Sequence, residues 1–307
     1  MDGRAGGASP RRAVRKAVIT AAGMGTRFLP ASKAQPKEML PLVDTPAIQY
    51  VVEEAIAAGI EDILLITSRG KRSLEDHFDR SFELEHHLAE KGKHDLADQV
   101  RAIGHLADIH YVRQKEARGL GHAVSVASEH VGDQPFALLL GDDIMRAESP
   151  LLRDMLAAHS ERGASVLALK AVSPEEIASY GCAEVEGVDG APVADGALVH
   201  VRGIVEKPDP GEAPSNLAVI GRYVLTPGIF ECLERTEPGR GGEIQLTDGI
   251  ALLMKEEPVY GVVFEKGRYD VGNKLDYLKA NIELALERPD LGPPLRAFLR
   301  ELVGGEG

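Results

Sequence analysis

Residues Lys16–Leu42 read KAVITAAGMGTRFLPASKAQPKEMLPL. They open on an apolar run, Ala17–Ala22, short and sharply ended by glycine, which predicts a buried parallel strand. The run stops at Gly23-Met24-Gly25-Thr26-Arg27, where two glycines let backbone N–H groups turn outward and converge on an anion. Arg27 and Lys37 add permanent positive charge beside that loop, one as a planar fork and the other as a point charge. Pro30, Pro36 and Pro41 keep the segment from winding into one helix, so it runs as a shaped loop. A strand ending in glycines and two cations is a seat for a polyphosphate. Gly-x-Gly alone also describes a plain tight turn. A dinucleotide-binding loop would need glycine where Phe28 stands and an acidic residue where Thr67-Ser68 follow the second strand. A Walker-type loop would need Gly-Lys-Ser/Thr, which is absent here.

The rest of the chain is consistent with a soluble α/β protein. Its 307 residues suffice for a full core, and its net charge of −13 argues against nucleic-acid or anionic-membrane surfaces. Positive charge in the first loop therefore runs against the background. Cys182 and Cys232 form neither a disulfide framework nor a metal motif, and a reducing, cytoplasmic compartment is expected. No apolar run approaches the length of a membrane span. The stretch 1–15, MDGRAGGASPRRAVR, lacks an apolar core and reads as a disordered tail, not a signal peptide.

Downstream, Pro46–Ala58 has helical spacing, Asp62–Thr67 reads as a second buried strand, and Gly70–Gly104 is polar and helical. The scattered histidines His77, His86, His87, His94 and His105 read as a solvated face and not a metal cluster, because their spacing is irregular. Ile109–Val112 is a third strand with Gln114 just past its end. Gly119-Leu120-Gly121-His122 leads into a helix through Glu129, and Phe136–Leu140 is a fourth strand ending in Gly141-Asp142-Asp143. This alternation predicts a mostly parallel, Rossmann-like sheet covered by helices, with the site beyond the carboxyl ends of its strands. The phosphate loop, Gln114 and Asp142 all fall on that edge. The second half is β-rich, with short segments at Gly181–Val188 and Val199–Val205, strands at Ser165–Val172, Leu217–Leu225 and Val259–Phe264, and a closing helix, Asn273–Leu286. Residues 289–307 read as a fraying C-terminal tail.

Asp142 directly follows a buried strand, so its carboxylate must face a cleft or meet a cation. Mg²⁺ carrying a polyphosphate is the usual hard-cation answer. Asp143 beside it points the other way and reads as a helix cap. Asp270, in Gly267-Arg268-Tyr269-Asp270-Val271-Gly272, reads equally as a second metal carboxylate or as a turn or N-cap aspartate. Glu206-Lys207-Pro208 reads either as a surface ion pair or as a pair held toward a ligand by the following proline.

The whole string G-x-G-T-R-F-x-P-x-S-K-A-x-P-K-E-M-L-P, Gly23–Pro41, resembles the nucleotide-binding signature of the sugar-1-phosphate nucleotidylyltransferases. The resemblance extends from Lys16 to Leu286, and His77–Glu85 is similar to the uridylyl-transferring branch. It implies one nucleotidyltransferase domain over 16–288 with a β-rich, sugar-facing lobe in the second half. The implied substrates are UTP and glucose 1-phosphate, with Mg²⁺ on Asp142 and Asp270. By the same resemblance Arg27 and Lys37 grip the triphosphate together with Ala22, Gly23, Gly25 and Thr26, and Gln114 and Gly119 read the pyrimidine. Lys207 contacts the sugar phosphate, Glu206 the sugar hydroxyls, and Gly181 leaves room for the hexose. It also implies a homotetramer or homodimer. A sister enzyme using dTTP and a catalytically silent nucleotide-sugar sensor are the competing readings. Segments Ser215–Leu217, with Asn216, and Gly242–Asp248, with Glu243, resemble family segments without an assigned role.

Overall fold

The computed structural model describes residues 13–209 and 211–304. Strand β1 (Lys16–Thr20) is followed by a loop of three short 3₁₀ turns and a small hairpin, β2 (Pro41–Leu42) and β3 (Thr45–Pro46). Helix α1 (Ala47–Ala57) buries Ile48, Val51, Val52 and Ala55, spaced three and four apart, and Gly59 turns the chain out at φ 88°. Strand β4 (Asp62–Thr67) leads to three helices, α2 (Arg72–Phe78), α3 (Phe82–Glu90) and α4 (His94–Ile103), across the polar stretch. Then come β5 (Asp108–Arg113), α5 (Leu120–Ser125), α6 (Ser128–Val131), β6 (Phe136–Leu140) and β7 (Asp143–Met145). The second half runs α7 (Leu151–Arg162), β8 (Ser165–Ala171), α8 (Pro174–Ile177), β9 (Gly181–Gly187), β10 (Leu198–Glu206) and β11 (Leu217–Leu225). It closes with α9 (Gly228–Glu234), α10 (Leu246–Leu253), β12 (Val259–Val263), β13 (Arg268–Asp270), α11 (Lys274–Glu287) and α12 (Gly292–Gly304).

Nine strands form one sheet in the order β5-β4-β1-β6-β11-β8-β12-β10-β9. Along β1 successive side chains alternate between the two faces. Ile19 joins a core with Ile48, Val51 and Met155 from α1 and α7, while Val18 joins another with Val124, Phe230 and Ile250 from α5, α9 and α10. Helices thus cover both faces, as the alternation predicts.

The strand directions differ from the expectation. β5, β4, β1 and β6 run parallel to one another, and so do β8 and β12, but β11 enters antiparallel between β6 and β8, and β10 is antiparallel to both β12 and β9. The sheet is mixed, not mostly parallel. Every residue of β11 is buried, and a run without alternation carries no sign of its direction. An antiparallel return also needs no helical crossover, which is how β9 returns as β10 at the far end of the sheet.

The expected N-terminal tail falls, for residues 1–12, outside the described residues, while the Arg15 carbonyl accepts from the N–H groups of Glu61 and Asp62 at 3.2 Å each. Within the stretch expected to fray, Gly292–Gly304 form α12. Pro293 and Pro294 lie in its first turn, where a missing N–H costs nothing.

Candidate active site

The carboxyl ends of the parallel strands share one edge. Ala21 N–H donates to Ile66, Gln114 N–H to Thr67 and Gly141 N–H to Thr20, which levels the ends of β1, β4, β5 and β6. A cavity of about 310 Å³ opens there, lined by Ala22, Gly23, Lys37, Gln114, Gly119 and Asp142 of the predicted set. Met24, Glu38 and Glu243 line it as well. Gly25, Thr26 and Arg27 lie beside it and not in its wall. Gly25 takes φ 66°, and a Cβ there would press at 3.3 Å on Lys37 and Ser32, so the loop folds tightly over the Lys37 stem.

Lys37 is paired with Asp142. Burial pushes the ammonium down, but the charges of Asp142 and Glu38 more than reverse this and hold it above the ordinary lysine value. Burial likewise pushes the Asp142 carboxyl up, and Lys37 reverses that, leaving it below the usual range. Behind them Lys71 donates to both Glu38 oxygens at 3.0 and 2.8 Å in the interior. Burial dominates in that pair, raising Glu38 and lowering Lys71. Lys71, Glu38, Lys37 and Asp142 form a row of alternating charge, so Lys37 is positioned from within.

Gln114 is buried, and its amide nitrogen donates to the Gly119 carbonyl at 3.1 Å and faces His122 Nδ1 at 2.9 Å. Gly119 has φ 99°, and a Cβ on it would lie 2.7 Å from the Ile244 carbonyl oxygen. That contact brings Glu243 into the nucleotide cleft from far along the chain.

Asp142 and Asp270 converge. β7 and β13 pair antiparallel with Asp143 opposite Asp270, which carries Asp270 to the end of β6. A Cβ on Gly272 would fall 2.7 Å from Asp142 Oδ2, 2.9 Å from Asp270 Oδ1 and 3.4 Å from Arg27 Nη1. Three charged groups therefore crowd a spot that only glycine leaves open. Asp270 Oδ1 accepts from the Gly272 N–H at 2.9 Å, while the N-cap of α11 is Asn273. Burial raises the Asp270 carboxyl, Arg268 opposes this, and the neighbouring Asp142 and Asp143 add to it.

Asp143 is not a helix cap. Arg268 grips it through two bonds of 2.8 and 3.1 Å, and the Gly221 N–H donates to it at 3.1 Å. Arg222, wholly buried, binds Glu54 and donates to the Asp143 carbonyl at 2.6 Å. The β11–β8 register shifts between Ile220 and Tyr223, and such a bulge re-aims side chains. Two buried guanidiniums thus fix the turn that bears Asp142.

The residues expected to meet the sugar form a second cluster. Glu206 pairs with Gly181 across β9 and β10, Lys207 Nζ lies 2.9 Å from Glu206 Oε1, and Thr247 donates to Glu206 Oε2 at 2.6 Å. Lys207 sits at φ 45°, a left-handed conformation rarely adopted by a residue with a side chain and found at functional sites. Tyr180 links the clusters: its carbonyl accepts from Lys207 N–H at 3.0 Å and its hydroxyl donates to Asp270 Oδ2 at 3.4 Å. Tyr180, His122, Arg222, Arg268 and Gly272 are residues the sequence reading missed, and only the glycine of Asp-Val-Gly carried a local signal. Asn216 is exposed, whereas Ser215 pins β9 to β11 by donating to the Ala183 carbonyl at 2.6 Å.

A glycine-rich loop, two acidic residues meeting beside it, and a mixed sheet with helices on both faces fit a nucleotidyltransferase. The Nucleotidyl transferase family model matches residues 16–287. A UTP–glucose-1-phosphate uridylyltransferase of Bacillus subtilis (strain 168), YngB, is 52% identical over 296 residues, covering 96% of this chain and 98% of its own. A UTP-bound UGPase from Acinetobacter baumannii superposes with a TM-score of 0.85 at 42% identity, covering 94% of this chain and 99% of that one. A UDP-glucose pyrophosphorylase complexed with UDP-glucose gives 0.79 at 40%, covering 90% and 100%. The chain belongs to the nucleotidyl transferase family, among the bacterial UTP–glucose-1-phosphate uridylyltransferases.

Proposed function

We propose that this chain transfers the uridylyl group of UTP to glucose 1-phosphate, giving UDP-glucose and pyrophosphate. The convergence of the anion loop, Asp142 and Asp270 at one sheet edge, with the Glu206–Lys207 cluster beside it, carries this reading. The sugar phosphate is already an anion, so its oxygen attacks the α-phosphorus in line without a general base. The protein's work is to hold two anions together and to stabilise charge on the leaving pyrophosphate. Arg27, Lys37 and the N–H groups of Gly23–Thr26, with Ala22, receive the triphosphate. Lys207 places the incoming phosphate while Glu206, beside Gly181 and Thr247, takes sugar hydroxyls.

Asp142 and Asp270 are an all-oxygen donor pair aimed at one glycine-lined cradle, which fits Mg²⁺. Mg²⁺ bound there supplies Lewis-acid charge to the phosphates. Gln114 spends both amide hydrogens on Gly119 and His122, leaving Oε1 to accept from the N3–H of uracil, a donor that cytosine lacks. None of Arg27, Lys37, Asp142, Lys207 and Asp270 is missing, which speaks against a silent sensor.

Choice between UTP and dTTP rests on the 2′-hydroxyl and the 5-methyl group. The uridylyl-like segment His77–Glu85 favours UTP. The expected kcat/KM for UTP exceeds that for dTTP by at least about tenfold, one lost buried hydrogen bond being worth about 1–3 kcal/mol. Pyrophosphate release measured with each triphosphate decides this, and equal rates would overturn the uridylyl assignment while leaving the fold intact.

Leu275, Leu278 and Ile282 of α11 and Phe298 and Leu302 of α12 are exposed, an apolar face that supports a homodimer or homotetramer. Sedimentation at micromolar concentration should show an assembly, and monomers alone would refute it. Both cysteines are free and buried, in keeping with a cytoplasmic location. No helix among the described residues is long and apolar enough to cross a membrane.

A further inference from the structure

At the opposite end of β4 from the cleft, three side chains meet that the chemistry above does not use. Asp62 opens β4, His110 lies on the edge strand β5 and His130 on α6. Asp62 Oδ1 is 2.8 Å from His130 Nε2 and 3.8 Å from His110 Nε2, and the three donor atoms all fall within 4.8 Å of one another. The two rings stand 4.9 Å apart, tilted by 53°, so they face the carboxylate together without stacking. The side chains are 30%, 55% and 22% exposed for Asp62, His110 and His130, leaving one side open to water. Thr67, at the other end of β4, accepts from Gln114 at the cleft, roughly 16 Å away along the extended strand.

We propose that Asp62, His110 and His130 form a second, peripheral site for a divalent transition metal of the zinc class. Two imidazoles and one carboxylate suit Zn²⁺, Ni²⁺ or Cu²⁺ and not Mg²⁺, which takes oxygen donors. Tetrahedral ligands at bond lengths of about 2.0–2.1 Å lie roughly 3.3 Å from one another, and the observed 2.8 and 3.8 Å bracket that spacing. Side-chain shifts of a few tenths of an ångström would close the set around an ion. A metal replaces the Asp62–His130 hydrogen bond and takes water as a fourth ligand. Lys16 Nζ stands 3.8 Å from the other carboxylate oxygen, Oδ2, and donates to the His130 carbonyl. It leaves Oδ1 to the metal, and its charge weakens binding relative to a closed zinc site. The bound ion would clamp the free edge strand β5 to β4 and α6.

The test is calorimetric titration of the chelator-stripped, full-length protein with Zn²⁺ in saturating Mg²⁺, which occupies the catalytic carboxylates. One Zn²⁺ per chain is expected, with a raised melting temperature and a Co²⁺ visible spectrum typical of a four-coordinate site. His110→Ala and His130→Ala should each weaken binding by about tenfold or more, and Asp142→Asn should not. His110 is largely exposed, so its variant should keep the wild-type circular dichroism. Absence of a Zn²⁺ signal in the wild type would overturn the proposal and leave an Asp–His ion pair. Binding unchanged in both histidine variants would overturn it equally, by placing the ion on other surface histidines.

Discussion

Replacing Asp142 with asparagine should lower turnover by about 10²-fold or more while the far-ultraviolet circular dichroism stays unchanged. The substitution keeps the shape of the side chain and removes its charge. Two consequences follow from its neighbours. The cradle beside Gly272, proposed to hold Mg²⁺, loses one of its two anions, and Lys37 loses the partner that keeps it charged despite its burial. Loss of the metal ligand raises the Mg²⁺ concentration needed for half-maximal rate. Loss of the Lys37 partner alone would act on UTP binding at every Mg²⁺ concentration. A Mg²⁺ titration of the variant separates the two, and near-normal turnover at low Mg²⁺ would remove Asp142 from the metal site. The turn itself should hold, because Arg222 and Arg268 fasten it through Asp143 and the backbone.

The second large effect concerns the acceptor. Lys207→Ala leaves the incoming phosphate without its cation and Glu206 without its 2.9 Å partner. A desolvated charge contact of this kind is worth about 2–5 kcal/mol. Lys207 is 39% exposed in the open cleft, so the low end applies: about 2–3 kcal/mol, or roughly 30- to 150-fold in kcat/KM for glucose 1-phosphate. The KM for UTP should move far less, because Lys37 pairs with Asp142 and Arg27 reaches the Gly272 carbonyl, whereas Lys207 pairs with Glu206. Alanine at φ 45° carries much the same backbone strain as lysine, so the melting temperature should barely change. Equal weakening toward both substrates would show that Lys207 does not belong to the acceptor side.

The placement of the glycine loop, Gln114 and Asp142 at one edge was legible from local rules. Each ends a strand of the parallel half, and parallel strands deliver their carboxyl ends to one edge. The second half resisted the same reasoning. The nine residues of β11, all buried and all but Arg222 uncharged, have no alternation from which to read a partner or a direction, and its antiparallel entry makes the sheet mixed. Helix α12 carries Leu295, Phe298, Leu299 and Leu302 at helical spacing, a pattern that reading 289–307 as a fraying tail passed over. The role of Asp143 was misread because nothing adjacent to it announces Arg268.

By itself, the sequence determined which chemical groups stand at the strand ends: glycines that free N–H donors, two cations, an amide and the carboxylate of Asp142. Those assignments depend on residues within a few positions of one another. Only the tertiary structure decided which charges neutralise which. The β7–β13 register sets Asp270 beside Asp142, the bulge in β11 turns Arg222 and Gly221 onto the Asp143 turn, and the Gly119–Ile244 contact brings Glu243 to the cleft. Each of these contacts joins residues far apart in the chain. Their pairing follows from burial, since a charge removed from water must find its counterion wherever the packing puts one.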